Sequence, residues 1–305
     1  LIYKNFTSDG PLVSNATFYV KKGSSISSIG KALEKAQIID NSLLFKLGLK
    51  LFSDFEVMKA GEYRIFAKSS PASVASVLQS GKTQIHSFTI AEGLTSDEIV
   101  KLIRARGELT GVISQIPKEG SLLPETYYFS NGDSKSSLIA RMEKDMKRLT
   151  SKLWAKRITG LPFQTIKEAV ILASIVEKET GKAKERAHVA AVFINRMRKG
   201  MRLQSDPTII YGITQGKGKL GRDLNRSDLR ESTLFNTYLI DGLPPTPIAN
   251  PGKEALKAVL DPRKTDDLYF VANGKGGHAF SKTLAAHNKN VKKWKKFKNQ
   301  KKDMK

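Results

Sequence analysis

Apolar residues return at helical spacing through Ile166, Val170 and Ala173, and the next position on that face is Glu177 instead of another hydrocarbon. The pattern predicts a helix whose apolar stripe ends in a carboxylate. A second stripe, Ala187, Ala190, Ala191, Ile194 and Met197, closes at Gly200 as a C-terminal cap, so the two helices read as a hairpin. Upstream, residues 16–22 read as a strand, Ser24 or Ser25 can cap a helix through Leu33, and residues 41–51 form another helix. Strands are predicted near Phe55 and over residues 63–66, and a helix over residues 71–79. After Ser80-Gly-Lys82 comes a strand over residues 86–91, then a helix with Thr95 and Glu98 as its capping box, running to about Arg106. Residues 136–156 read as a long amphipathic helix, and residues 268–272 and 279–281 are predicted to pair as strands.

These elements imply an α+β protein with no internal repeat. A small module is expected over residues 1–82, a larger mixed α+β domain over residues 83–290, and a basic tail over residues 291–305. A substrate groove is expected between the Glu177 hairpin and the strand-rich end of the second domain. In the first module a strand, a helix pair and a returning strand resemble a LysM-like, glycan-binding arrangement; a packing domain is the competing reading.

A carboxylate at the end of a buried stripe has its ionised form disfavoured, which raises its pKa and suits a general acid. Alternatively the helix ends there and Glu177 turns to solvent or pairs with Lys178 or Lys182. On the helix alone the second reading is the better one. Glu179 lies roughly 200° further round the helix, and an ion pair is expected for it.

The downstream segments are rich in uncharged hydrogen-bonding groups. Met201-Arg-Leu-Gln-Ser-Asp-Pro-Thr208, Phe235-Asn-Thr-Tyr238 and Gly242-Leu-Pro-Pro245 supply amides, hydroxyls and rings suited to sugars, on proline-stiffened loops. An ordinary surface connection has the same composition. Asp206, just before Pro207, reads as a helix start and backbone cap.

Taken in order, Ala173-Ser-Ile-Val-Glu-Lys-Glu179, Val192-Phe-Ile-Asn-Arg196, Met201–Thr208, Tyr238 with Gly242–Pro245, Asn250-Pro-Gly252, and Leu268-Tyr-Phe-Val-Ala272 leading to Gly276-Gly-His-Ala-Phe-Ser281 resemble the endolytic murein transglycosylases of the YceG-like type. The resemblance implies a lytic transglycosylase acting on nascent peptidoglycan strands, and so limiting their length. It implies Glu177 as acid and base, and peptidoglycan synthase machinery as a partner. Glu119, Glu125, Asn195, Gln204, Ser205, Tyr211, Asn236, Tyr238, Asn250 and His278 match motif positions that line the sugar groove or orient Glu177; for each, a structural role competes evenly. The chain departs from the family where Ser121 and Leu123 replace aromatics, and at Ala286, where relatives commonly carry Glu. These departures bear on subsites.

Cysteine is absent and the four histidines, at 86, 188, 278 and 287, do not fall at ligand spacing, so neither a metal nor another cofactor is expected. No Gly-x-Ser-x-Gly elbow surrounds Ser174, and the glycines of residues 212–221 lack a Walker ending, reading instead as a mobile basic loop. The formal charge of +23 suggests nucleic acid first, but residues 289–305 hold nine lysines against one aspartate, which reads as a solvated tail fraying from a last helix, and no nucleic-acid motif accompanies it. A non-catalytic glycan-binding scaffold is the remaining alternative. No apolar run is long enough to span a bilayer. The sequence opens at Leu1-Ile-Tyr, however, and the resemblance implies a transmembrane helix just before such a start; the expectation is a single-pass bacterial inner-membrane protein with its catalytic domain in the periplasm.

Overall fold

The computed structural model describes residues 2–53 and 57–303, so the strand expected near Phe55 lies outside the described residues. The protein is α+β and forms two compact units. The first comprises Leu1–Phe88, Arg106–Gly111 and Tyr127–Lys135, and the second Thr89–Ala105, Val112–Thr126 and Ser136–Lys305, in place of a single division after residue 82.

The first unit runs α1 (Ile2–Thr7), β1 (Ala16–Val20), α2 (Ile26–Lys35), α3 (Ser42–Phe52), β2 (Gly61–Ile65) and α4 (Pro71–Ser80). Strands β1 and β2 pair antiparallel with Phe18 opposite Tyr63. The helices start where short polar side chains satisfy free backbone donors: Ser25 Oγ accepts from the Ser28 N–H, and Asn41 Oδ1 from those of Leu43 and Leu44. Ile29, Leu33, Phe45, Tyr63, Ile65, Val74 and Leu78 fill the core. Strand β3 (Ile85–Thr89) pairs with β4 (Thr126–Ser130), and His86 contacts Glu62 across this unit.

The second unit holds α5 (Ser96–Arg104), α6 (Lys135–Trp154), α7 (Ile166–Glu179), α8 (Ala183–Arg198), α9 (Asp206–Thr214), α10 (Lys253–Leu260), β5 (Tyr269–Ala272), β6 (His278–Ser281) and α11 (Leu284–Asp303). Helices α5 and α7 both begin with complete capping boxes, Thr95 with Glu98 and Thr165 with Glu168. Helix α7 is buried on every side from Ala169 to Glu177, because α8 and α10 pack against it. The antiparallel β5–β6 hairpin is fixed to α8 by side chains: Asn195 donates to the carbonyls of Thr265 and Asp267, while His188 stacks on Phe280 and bonds Asp267 at 2.8 Å.

Two expectations change here. The segment beyond residue 290 continues α11 as helix to Asp303, in keeping with its lack of glycine and proline and the good helix propensity of lysine, and Phe297 seats over Gly274. The single-pass inner-membrane expectation is also corrected. Among the described residues no helix is long and apolar enough to cross a membrane. The 20-residue helices α6 and α11 have the length, but charges such as Lys144, Asp145 and Arg148 in the first and Lys292, Lys293 and Lys296 in the second are spread through them.

Candidate active site

Helix α7 delivers Glu177 and Glu179 to different surroundings. The Glu177 side chain is 4% exposed; its Oε1 accepts from the Arg186 guanidinium at 3.1 Å and its Oε2 from the Gly252 N–H at 2.9 Å. Its partner is therefore Arg186, from the facing helix of the hairpin, and neither Lys178 nor Lys182. Lys178 donates instead to the Gly93 carbonyl at 3.2 Å. The same Arg186 nitrogen reaches Glu92 Oε2 at 3.1 Å. Backbone bonds from Gly93 N–H to the Asn250 carbonyl and from Asn250 N–H to the Leu94 carbonyl clamp the loops that cover Glu177. Burial holds the Glu177 pKa above the ordinary range; the Gly252 N–H and Arg186 pull it back, and Glu92 adds to the rise.

Glu179 faces a cavity of about 420 Å³ lined also by Arg196, Gln204, Asp206, Tyr238, Phe270 and His287. Its Oε1 accepts from Ser205 Oγ at 2.5 Å, a hydrogen bond in place of the expected ion pair. Burial pushes its pKa up to about 7, and the Asp206 charge works in the same direction against Ser205 and Arg196. A carboxyl poised near neutrality at the wall of a polar cavity can both give and take a proton. Asp206 does not cap α9: the capping position is Ser205, with no side-chain cap bond, and Asp206 Oδ1 accepts from the Tyr238 hydroxyl at 2.7 Å.

Gln204, Ser205 and Tyr238 are thus brought together around Glu179. Glu119, Tyr211 and Asn250 form a separate knot. Asn250 is fully buried, its amide nitrogen donating to the Leu94 carbonyl, Ser96 Oγ and Glu119 Oε1 and its oxygen accepting from the Leu122 N–H. Glu119 also accepts from the Ser96 N–H at 2.8 Å and the Tyr211 hydroxyl at 3.2 Å, and burial raises its pKa. Asn236, fully buried, holds its own loop through the carbonyls of Leu229 and Glu231. Asn195 anchors the approach to β5, as described above. His278 opens β6 and bonds Glu185 at 2.8 Å. Glu125 is exposed and lines a different cavity, beside Arg148 and Lys253. Residues 212–221 are tied down, with Thr95 Oγ1 donating to the Gly216 carbonyl at 2.6 Å and Lys101 Nζ to that of Lys217 at 3.2 Å.

Sequence reasoning passed over Glu92, Arg186, Arg196 and His287. Arg186 sits beside Lys184 and Glu185 and is not set apart from them by the sequence; Glu92 and His287 likewise carried no signal without the fold. Among the described residues no cluster of His, Cys, Asp and Glu could hold a metal ion.

Residues 18–293 match the sequence profile of the YceG-like family. The chain belongs to the YceG-like family. It is 28% identical to the endolytic murein transglycosylase of Bacillus subtilis strain 168, across 92% of this chain and 85% of that protein. It is likewise 28% identical to the endolytic murein transglycosylase of Streptococcus pneumoniae serotype 2, across 92% of this chain and 59% of that longer protein. A crystal structure of a yceG-like protein from Listeria monocytogenes superposes with a TM-score of 0.56 at 32% identity, covering 90% of this chain and 98% of the other. Both carboxylates of α7 and the Asn250 knot fall inside the YceG-like span.

Proposed function

We propose that this YceG-like chain is an endolytic murein transglycosylase, a lyase acting within nascent peptidoglycan glycan strands, and that Glu179 is its acid and base. In the reaction the Glu179 proton passes to the oxygen joining N-acetylmuramic acid to N-acetylglucosamine, and the bond from that oxygen to the muramyl anomeric carbon breaks. The Glu179 carboxylate then takes the proton of the muramyl C6 hydroxyl, whose oxygen bonds to the anomeric carbon as an anhydro ring. No water is consumed and a single carboxyl is returned to its starting state, in contrast to the paired roles of ordinary glycosidases.

The observation that carries this reading is the position of Glu179, at the wall of a polar cavity with its pKa near 7. Glu177 has the raised pKa expected of an acid, yet both its oxygens are engaged, by Arg186 and by Gly252. We therefore transfer the catalytic role from Glu177 to its neighbour and give Glu177 the task of pinning the C-terminal end of α7. The Glu179 cavity becomes part of the sugar groove, with Gln204, Tyr238 and Ser205 around it. The antiparallel β1–β2 pair enclosing α2 and α3 supports a LysM-like, glycan-binding role for the first unit, and peptidoglycan synthase machinery is the fitting partner for an enzyme that trims growing strands.

Mass spectrometry of fragments released from purified uncross-linked glycan strands tests the reaction. Anhydro-muramyl ends are expected. Reducing ends would make the protein a hydrolase and overturn the lyase reading.

A further inference from the structure

Asp206 stands in the same cavity as Glu179, and its carboxylate is not used where its sequence position would use it. As the first residue of α9 it could have bonded the free N–H groups of that helix; instead its Oδ1 accepts the Tyr238 hydroxyl at 2.7 Å. The cation lining this cavity is Arg196 of α8, but its hydrogen bonds run elsewhere: Nε donates to the Leu268 carbonyl, and one terminal nitrogen to the carbonyls of Arg202 and Leu203 and to Gln204 Oε1. Among the described residues no ion pair joins Arg196 to either carboxylate. From the loop before α10 comes Tyr238, and from α11 His287, whose pKa burial and then Arg196 hold below the ordinary value, so the ring is neutral at neutral pH. Tyr269 of β5 lies beside Arg196, 5.3 Å from the guanidinium to the ring centre. The anionic groups of the cavity are therefore Glu179 and Asp206.

We infer that Asp206 is a positioning residue for the reaction: its fixed negative charge, oriented by Tyr238, keeps the proton on Glu179 until the glycosidic oxygen takes it. This rests on the assignment of Glu179 made above. Two carboxylates sharing one low-dielectric space do not both ionise cheaply, and the one better solvated and hydrogen-bonded keeps the charge. Asp206 is exposed and Glu179 is partly buried, which decides the order. Once Glu179 has given up its proton, the same repulsion raises its basicity toward the C6 hydroxyl, so one charge serves both halves of the cycle.

The test is the pH dependence of kcat for the full chain on soluble uncross-linked strands, with fold checked by thermal melting. In Asp206→Asn, which keeps an acceptor for Tyr238, the alkaline limb should move to lower pH, whatever the change in the maximal rate. Asp206→Glu and Tyr238→Phe, which keep the charge, should leave the limb in place even if they lower the rate. An unmoved limb in Asp206→Asn, or an equal shift in all these variants, overturns the inference while leaving Glu179 as the acid. Retained activity in Glu179→Gln would instead overturn the assignment on which it rests.

Discussion

Ser205 Oγ donates to Glu179 Oε1 at 2.5 Å, joining the residue before α9 to the last residue of α7. The bond fixes one carboxyl oxygen and favours the ionised form, against the burial that favours the protonated one. Removing it therefore has a defined sign. Ser205→Ala should raise the Glu179 pKa further and carry the alkaline limb of the kcat profile to higher pH, opposite to the direction expected for Asp206→Asn. Turnover should also fall, because the carboxyl loses its orientation. A pH–rate profile on soluble strands reads both effects.

Stability should carry the same signature. The folded-state pKa of Glu179, about 7, lies above the ordinary value of 4.5, so the stability linked to its proton is fully present below the ordinary value and is lost as pH rises toward 7. Glu119 and Glu177 are shifted in the same direction and add to the slope. Urea unfolding at a series of pH values should show wild type losing stability relative to Glu179→Gln across this window, with parallel curves on either side of it.

Arg186 and Glu177 form a pair whose side chains are 11% and 4% exposed. Arg186→Ala strands the Glu177 charge and should cost about 3–5 kcal/mol of folding stability. The double variant Glu177→Gln, Arg186→Met leaves no buried charge and should recover most of that loss. Chemical denaturation of both variants at neutral pH measures the difference.

Asn250→Ala should be destabilising by about 1–3 kcal/mol, since it leaves the buried Leu122 N–H without its acceptor and removes one of the donors to Glu119 and to the Leu94 carbonyl inside the second unit. A purely substrate-contacting asparagine would lower activity with an unchanged melting temperature. Calorimetry and a strand-cleavage assay on the same preparation separate the roles.

Much of this fold was legible in the sequence because it depends on local chemistry. The capping box of α5, the Ser25 cap and the β5–β6 pairing are set by neighbouring residues, and local sequence patterns find them. The site was legible as a set of residues and illegible as an arrangement. Helical spacing marked Glu177 as a carboxylate on a buried face, but spacing does not say what packs opposite. Arg186 from α8 and the Gly252 N–H occupy Glu177, whereas Glu179 meets a cavity built from α9, the Tyr238 loop and β5. Asp206 was misread for the same reason, since a helix-start pattern does not reveal a tyrosine arriving 32 residues later. Glu92 entered only through the tertiary contact with Arg186.

The most direct measurement compares the Glu177→Gln and Glu179→Gln variants, each shown to be folded, for release of anhydro-muramyl fragments from uncross-linked strands. Glutamine at either position keeps an acceptor for the neighbouring donors while removing the transferable proton. With Glu179 as acid and base, Glu177→Gln retains cleavage and Glu179→Gln loses at least about 10²-fold. Cleavage by Glu179→Gln together with a silent Glu177→Gln would contradict this account and return the chemistry to the Arg186-bound carboxylate.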